Sequence, residues 1–170
     1  MLKTHQDAES RYDALRKIAL EEAQRGAIEG RRFTTITAEA LSAAKHWNES
    51  PTRQVDWNWV HGYSAFRFRH PKRFELALWE TNNLLALSLG RPTYEGHHLR
   101  IDFVEARPRD LGTRPPVFDD VLVPYGIYAR LLNARQIRIM HPINDVVKAY
   151  YQAFGYHYVA KQDYLFKEVF

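Results

Sequence analysis

The chain has 170 residues, no cysteine and 14% aromatic content, with 24 Lys and Arg against 20 Asp and Glu for a net charge of +4. That length suits one domain whose core needs no staples, and the missing cysteine excludes disulfides, thiolate metal sites and a cysteine nucleophile. No apolar run reaches the roughly 20 residues that span a bilayer, so a soluble, cytoplasmic protein without membrane association is expected, and the mild positive excess suits a phosphorylated ligand without demanding nucleic acid.

From about Ala8 to Gln24 the residues Tyr12, Leu15, Ile18, Ala19 and Ala23 recur at helical spacing. Gly26, Gly30 and the pair Arg31 and Arg32 interrupt that pattern. Thr37 stands where an N-cap belongs for a second helix, AEALSAAKHWNE, which ends before Ser50 and Pro51. Between Thr52 and Pro71 no period is legible, and the segment reads as irregular; it holds Trp57, Trp59, His61, Gly62 and the start of a basic run from Arg67 to Arg73.

Three strands are expected next. RFELALWE and LLALSLG alternate on either side of a short TNN turn, and HLRIDFVEA closes an antiparallel meander. Strict alternation puts Leu99, Ile101, Phe103 and Glu105 on one face of that third strand and Arg100, Asp102, Val104 and Ala106 on the other. The prolines and Gly112 of RPRDLGTRPP break the ladder. Helical spacing from Phe118 to Asn133 follows, with Pro124 marking either a start or a bend.

The run from Gln136 to Val159 carries the clearest punctuation. Ile137 and Ile139 alternate with Arg138, Pro142 closes the strand, and Asn144 occupies an N-cap position. Val147, Tyr150, Tyr151 and Phe154 then form one apolar stripe, with Tyr150 expected in the core. Gly155 supplies a left-handed exit, and Tyr156 and Tyr158 begin a strand.

The spacing of Asn144, Tyr151, Gly155 and Tyr156 resembles the last core motif of the GNAT superfamily of acyl-CoA-dependent N-acyltransferases, with tyrosine in place of the usual phenylalanine at the end. The element order extends this resemblance over roughly residues 74 to 170, while residues 1 to 70 share only their two helices. It implies a single α/β (α+β) domain over residues 1–170, a mixed sheet whose antiparallel meander switches to parallel at a splayed strand pair. Residues 1–70 would form a helical acceptor-side region and residues 74–170 the acyl-CoA-binding core.

The same resemblance implies a cosubstrate, acetyl-CoA, and no metal. Its pantetheine arm would enter the splay beside the main chain of Val104, Glu105 and Ala106, with the strand from Gln136 to Met140 opposite. Its pyrophosphate would meet the helix start at Val117 and Phe118, with Arg107, Arg109 and Arg114 as charge partners and Asn144 opening the neighbouring helix. This sequence departs from the family pattern in that loop, having Pro115 and Pro116 where two glycines are usual and Asp119 and Asp120 just beyond. Tyr151 matches the position of the acid that protonates the leaving thiolate. For the base, Glu105 is preferred, with Asp102 on the opposite strand face as alternative and Glu80 acting through water as a third.

Adjacent His97 and His98 suit metal ligation poorly, and His141 stands at the mouth of the expected cleft. The leading function is transfer of an acetyl or other acyl group to a primary amine on a small-molecule or protein acceptor, by a monomer or homodimer. A GNAT-like module without catalysis, acting in binding or regulation, is the second reading. Nucleic-acid association, including a transferase acting on aminoacyl-tRNA, is the third; it rests on RFRHPKRF with Trp57 and Trp59, although such charges on a short loop are more often a solvated face or a site for the CoA 3′-phosphate.

Overall fold

A computed structural model describes residues 3–170. In chain order the elements are α1 (Lys3–Arg25), β1 (Arg31–Thr34), α2 (Ala38–Lys45), a 3-10 turn (His46–Glu49), α3 (Trp59–Arg69), β2 (Phe74–Glu80), β3 (Asn83–Pro92) and β4 (His98–Ala106). A 3-10 turn (Arg109–Leu111), α4 (Phe118–Leu131), β5 (Gln136–Met140), α5 (Asp145–Ala153), β6 (His157–Val159) and β7 (Tyr164–Glu168) complete the chain.

The strands form one seven-stranded sheet in the order β1-β2-β3-β4-β5-β7-β6. Every neighbouring pair is antiparallel except β4 and β5. The expected meander that turns parallel partway across is therefore the observed fold. Residues 74 to 79 of β2 and 84 to 90 of β3 are buried at every position, because helices cover both faces of the sheet centre.

On one face Phe74, Leu76, Leu78, Leu99 and Ile101 meet α1 and α4 through Ala19, Ala23, Val121, Tyr125 and Tyr128. On the other, Ala77, Trp79, Leu87 and Leu89 meet α2 and α3 through Ala40, Ala44, Trp59 and Tyr63. The two helices of the N-terminal third thus lie on opposite sides of the sheet, and only α2 joins α3 on the second face.

Local chemistry explains most boundaries. Thr37 accepts a hydrogen bond from the Ala40 N–H and opens α2, and Asn144 Oδ1 accepts from the Val147 N–H at 2.9 Å and opens α5. Gly155 leaves α5 at φ +83, a conformation glycine adopts without a Cβ clash. Pro124 lies inside α4, six residues after its start.

Several expectations are corrected. The segment from 52 to 71 is not irregular throughout, because Asn58 Oδ1 accepts from the His61 N–H and starts α3. Trp59, Tyr63 and Phe66 form a stripe along α3 that exposed His61, Gly62 and Phe68 concealed. Strands β1 and β7 are additional to those expected. In α1, Ile18 is 43% exposed, and Arg16 points inward along with Ala19 and Ala23. In α5, Tyr150 is 43% exposed rather than in the core, whereas Tyr151 is buried.

Arg16 is tolerable inside because its guanidinium donates to Glu9 at 2.8 Å and to the Pro71 and Arg73 carbonyls at 3.0 and 3.2 Å. Arg73 pairs with Glu9 at 2.9 Å and with Glu75 at 2.8 Å. Glu75 in turn accepts from the Ile36 N–H at 3.1 Å and from the Tyr63 hydroxyl. One network of charges therefore ties α1, α3, β2 and the approach to α2 together.

The decisive irregularity is in β4. Leu89 faces Phe103 across the ladder and Gly90 faces Ile101, so Asp102 has no partner on β3. Such a bulge shifts the side-chain alternation by one residue. Leu99 and Ile101 face α4, but Phe103 packs beside Trp57 and Phe66 on the α3 face, with ring centroids 5.1 and 6.0 Å away. The uninterrupted face expected for Leu99, Ile101, Phe103 and Glu105 is thereby broken in two.

Gly90 permits this bend. A Cβ there would lie 2.2 Å from the Arg100 carbonyl oxygen and 2.8 Å from Tyr125 Cε1. Gly90→Ala is expected to lower stability by about 1–3 kcal/mol, read as a lower urea midpoint; an unchanged midpoint would show that the sheet relaxes freely there.

Candidate functional site

The site is built where β4 and β5 part. Their parallel ladder runs from His98 opposite Gln136 to Ile101 opposite Ile139 and stops. β4 continues for five more residues, Asp102 to Ala106, of which Phe103 to Ala106 pair with β3 alone. β5 ends one residue on, where His141 takes a left-handed φ of 49° and Pro142 has no N–H to donate. One edge of β4 therefore carries main-chain polar groups that no strand satisfies, and such groups seek partners.

Val104 and Ala106 lie in this stretch, half-buried against the cluster that contains Tyr151 and Phe118. Tyr151 is buried, its ring centroid 4.5 Å from that of Phe118. Burial, with a smaller contribution from Tyr150, raises its phenol above the ordinary tyrosine value and keeps it protonated. Phe118 also meets Tyr150, Phe154 and Tyr156 at 5.0–6.3 Å, so an aromatic cluster joins the first turn of α4 to α5. Asn144 contributes the cap of α5, bonded to its own helix.

The loop between β4 and α4 is held by its arginines. Arg107 donates to the Thr113 carbonyl at 2.8 Å, and Arg114 Nε donates to the Arg107 carbonyl at 2.7 Å. Arg107 Nε is buried without a partner. Burial lowers the pKa of Arg114, and the nearby charges of Arg109 and Arg107 lower it further. Three guanidiniums thus converge on one loop. At the start of α4 no side chain caps the helix, whose first turn follows Val117. Asp120 is turned toward β1, where Arg31 Nε holds it at 3.0 Å.

On the α3 face, Glu105 is enclosed. Arg53 donates to both of its oxygens at 2.7 and 3.0 Å, and Trp59 Nε1 adds a third bond at 2.6 Å. The bond to Glu105 raises the pKa of Arg53. Arg53 also reaches the Asn48 side chain and the Trp57 carbonyl. Asp110 accepts from Ser50 and Thr52. These contacts clamp the segment after α2 onto the end of β4.

Asp102 accepts from Arg100 and lies 3.5 Å from Arg91, and its second oxygen is buried without a hydrogen bond. Because the bulge puts Asp102 and Phe103 on one side, Asp102 and Glu105 share the α3 face; their expected placement on opposite faces is corrected. Glu80, on β2 and two strands from β4, is bound to Arg31 of β1 at 2.6 Å. His141 is exposed and 3.4 Å from Asp163. In the basic run, Arg73 is buried in its ion pairs while Arg67, Phe68 and Arg69 are exposed. Among the described residues no helix is long and apolar enough to cross a membrane, and no cluster of three metal-ligating side chains occurs.

A groove of about 240 Å³ adjoins this region. Its floor is Leu89 and Phe103 of the sheet, and its walls include Trp57, Tyr63 and Phe66, with His70 and Arg69 toward one end. Burial, followed by the charge of Arg91, lowers the pKa of His70 and leaves it neutral near pH 7. Sequence reasoning missed this groove because α3 was not recognised; Asn58 followed by Trp59, Tyr63 and Phe66 is the signal that marks it.

At the level of sequence the chain matches no family model and no curated protein. Solved structures do match. A GNAT-family structure from Desulfovibrio desulfuricans superposes with a TM-score of 0.63 at 11% identity, covering 82% of this chain and 99% of that one. The ribosomal-protein-S18-alanine N-acetyltransferase of Escherichia coli gives 0.60 at 10% identity over 82% and 94%. The PaiA N-acetyltransferase of Thermoplasma acidophilum in complex with coenzyme A gives 0.53 at 9% over 82% and 99%. The fold is that of the GNAT acetyltransferases.

Glu105→Gln removes the charge that three donors surround and leaves Arg53 without its counter-ion. A loss of about 3 kcal/mol is expected in urea denaturation. A loss below about 0.5 kcal/mol would mean that water reaches the pair as it does at a surface.

Proposed function

We propose that this GNAT-fold chain is an acyl-CoA-dependent N-acyltransferase, taking acetyl-CoA as cosubstrate and a primary amine as acceptor. The observation that carries the reading is the end of the β4–β5 ladder at Ile101 and Ile139, which leaves the edge of β4 from Asp102 to Ala106 free. An amide-bearing arm can add to such an edge as a strand does. Neighbours of the same fold support the chemistry: one was solved with coenzyme A, and another is named for acetylating an alanine of a ribosomal protein.

The residues present fit the phosphate end of such a ligand. Arg107, Arg109 and Arg114 repel one another around their loop, and an anion would relieve that repulsion while accepting from the unpartnered Arg107 Nε. The amides of Val117 and Phe118 lie at the start of α4, where the helix dipole favours negative charge. Arginine charge stands in for the glycine-rich backbone cradle that this loop lacks.

When bound, acetyl-CoA supplies the thioester carbonyl that the acceptor nitrogen attacks, forming the amide as the carbon–sulfur bond breaks. Tyr151, kept protonated by burial, gives its proton to the departing sulfur. The proton lost from the amine goes to a base on the α3 face of β4. Glu105 is engaged by Arg53 and Trp59, so its part is to hold the acceptor-side segment; Asp102, whose second oxygen accepts no hydrogen bond although Arg91 Nε lies 3.5 Å from it, is the carboxylate left to receive a proton through water.

Calorimetry with acetyl-CoA is expected to show one-to-one binding, weakened by Arg114→Ala. Tyr151→Phe is expected to slow acyl transfer about a hundredfold while acetyl-CoA affinity is kept. No binding at millimolar acetyl-CoA would leave the domain as a GNAT-like module without catalysis. Unchanged turnover in Tyr151→Phe would assign that residue to packing alone.

A further inference from the structure

The groove between α3 and the bulged part of β4 is unusual in what lines it. Aromatic faces from Trp57, Tyr63, Phe66 and Phe103 surround it, and no carboxylate is among its lining residues. The acids on this face beside the groove, Glu75, Asp102 and Glu105, are each paired with an arginine. Arg69 lies on the wall and His70 at the end. Trp57 Nε1 is buried without a hydrogen-bond partner.

Each feature bears on what fits. A cavity of roughly 150 Å³ lined by apolar side chains holds one benzene ring, so about 240 Å³ accommodates a ring with a short arm. Aromatic faces attract a single ammonium group or an apolar body. A polyamine would bring further charges against Arg69 with no carboxylate in the groove lining to receive them.

We infer that this groove is the acceptor pocket, and that it takes a small primary amine with an aromatic body rather than a polyamine. The assignment rests on the N-acyltransferase reading above. Phe103 links the two: it forms the floor of the groove and lies in the stretch of β4 that has left β5. Desolvation among the rings disfavours the ammonium form of the amine and eases loss of its proton. His70 borders the groove as a neutral imidazole, with Arg69 of α3, Arg91 of β3, and Arg100 and Asp102 of β4 around it.

The test uses tyramine and spermidine as acceptors for the full chain, following thiol release from acetyl-CoA. Tyramine is expected to be used with a kcat/KM about tenfold or more above that of spermidine. Gly62 lines the groove, and a Cβ there meets nothing within 4 Å, so Gly62→Phe fills the pocket without disturbing the fold. That variant should raise the KM for tyramine about tenfold while acetyl-CoA affinity in calorimetry is unchanged. Preference for spermidine, or an unaltered tyramine KM in Gly62→Phe, overturns the assignment and leaves the transferase reading standing. If acetyl-CoA itself does not bind, that reading falls, and quenching of tryptophan fluorescence decides the groove alone. Quenching by tyramine that Gly62→Phe abolishes supports an amine pocket; no quenching overturns it.

Discussion

One extra residue in β4 organises the half of this molecule that holds the candidate site. With Asp102 unmatched across the ladder to β3, the strand bends just where its hydrogen bonds to β5 end. The bend does two things at once. It frees an edge of main chain from Asp102 onward, and it turns Phe103 and Glu105 toward α3. A regular strand of the same sequence would have sent those side chains to the opposite face.

The consequences spread through contacts on the α3 side. Glu105 gathers Arg53 and Trp59, and Arg53 gathers the Trp57 carbonyl, so an ion pair buried at the end of β4 fixes the wall of an aromatic groove. A buried pair of this kind adds little net stability over an apolar substitute. Its effect here is positional, because the segment between α2 and α3 has few other anchors. The network of Glu9, Arg16, Arg73 and Glu75 does the same for α1 and β2 on the far side.

The loop before α4 is rich in side-chain charge and poor in backbone donors. Backbone amides are scarce there, since Pro115 and Pro116 have none. Arginine side chains crowd the loop instead and are braced by bonds to the Thr113 and Arg107 carbonyls. Mutual repulsion among these guanidiniums is a cost in the free protein that a bound polyanion would offset.

Amphipathic period and capping residues made much of the architecture legible. Thr37, Asn144 and Gly155 act over a few residues of chain, so their roles as caps and exit hold whatever packs around them. The same holds for the meander and for the stripe that buries Tyr151. Elements without a clean period were lost: α3 has aromatic residues on more than one side, and β1 and β7 are short strands recognisable only by their partners. Which faces Asp102 and Glu105 present could not be read from alternation, because a bulge is set by pairing with β3 and by the absence of a side chain at Gly90. Local sequence thus determined the elements and their order, and with them the motif at Asn144 to Tyr156. Tertiary structure alone decided that Glu105 is bound to Arg53, that Arg16 and Arg73 lie inside, and that residues distant in the chain close into a groove, since each depends on contacts between segments that no local pattern encodes.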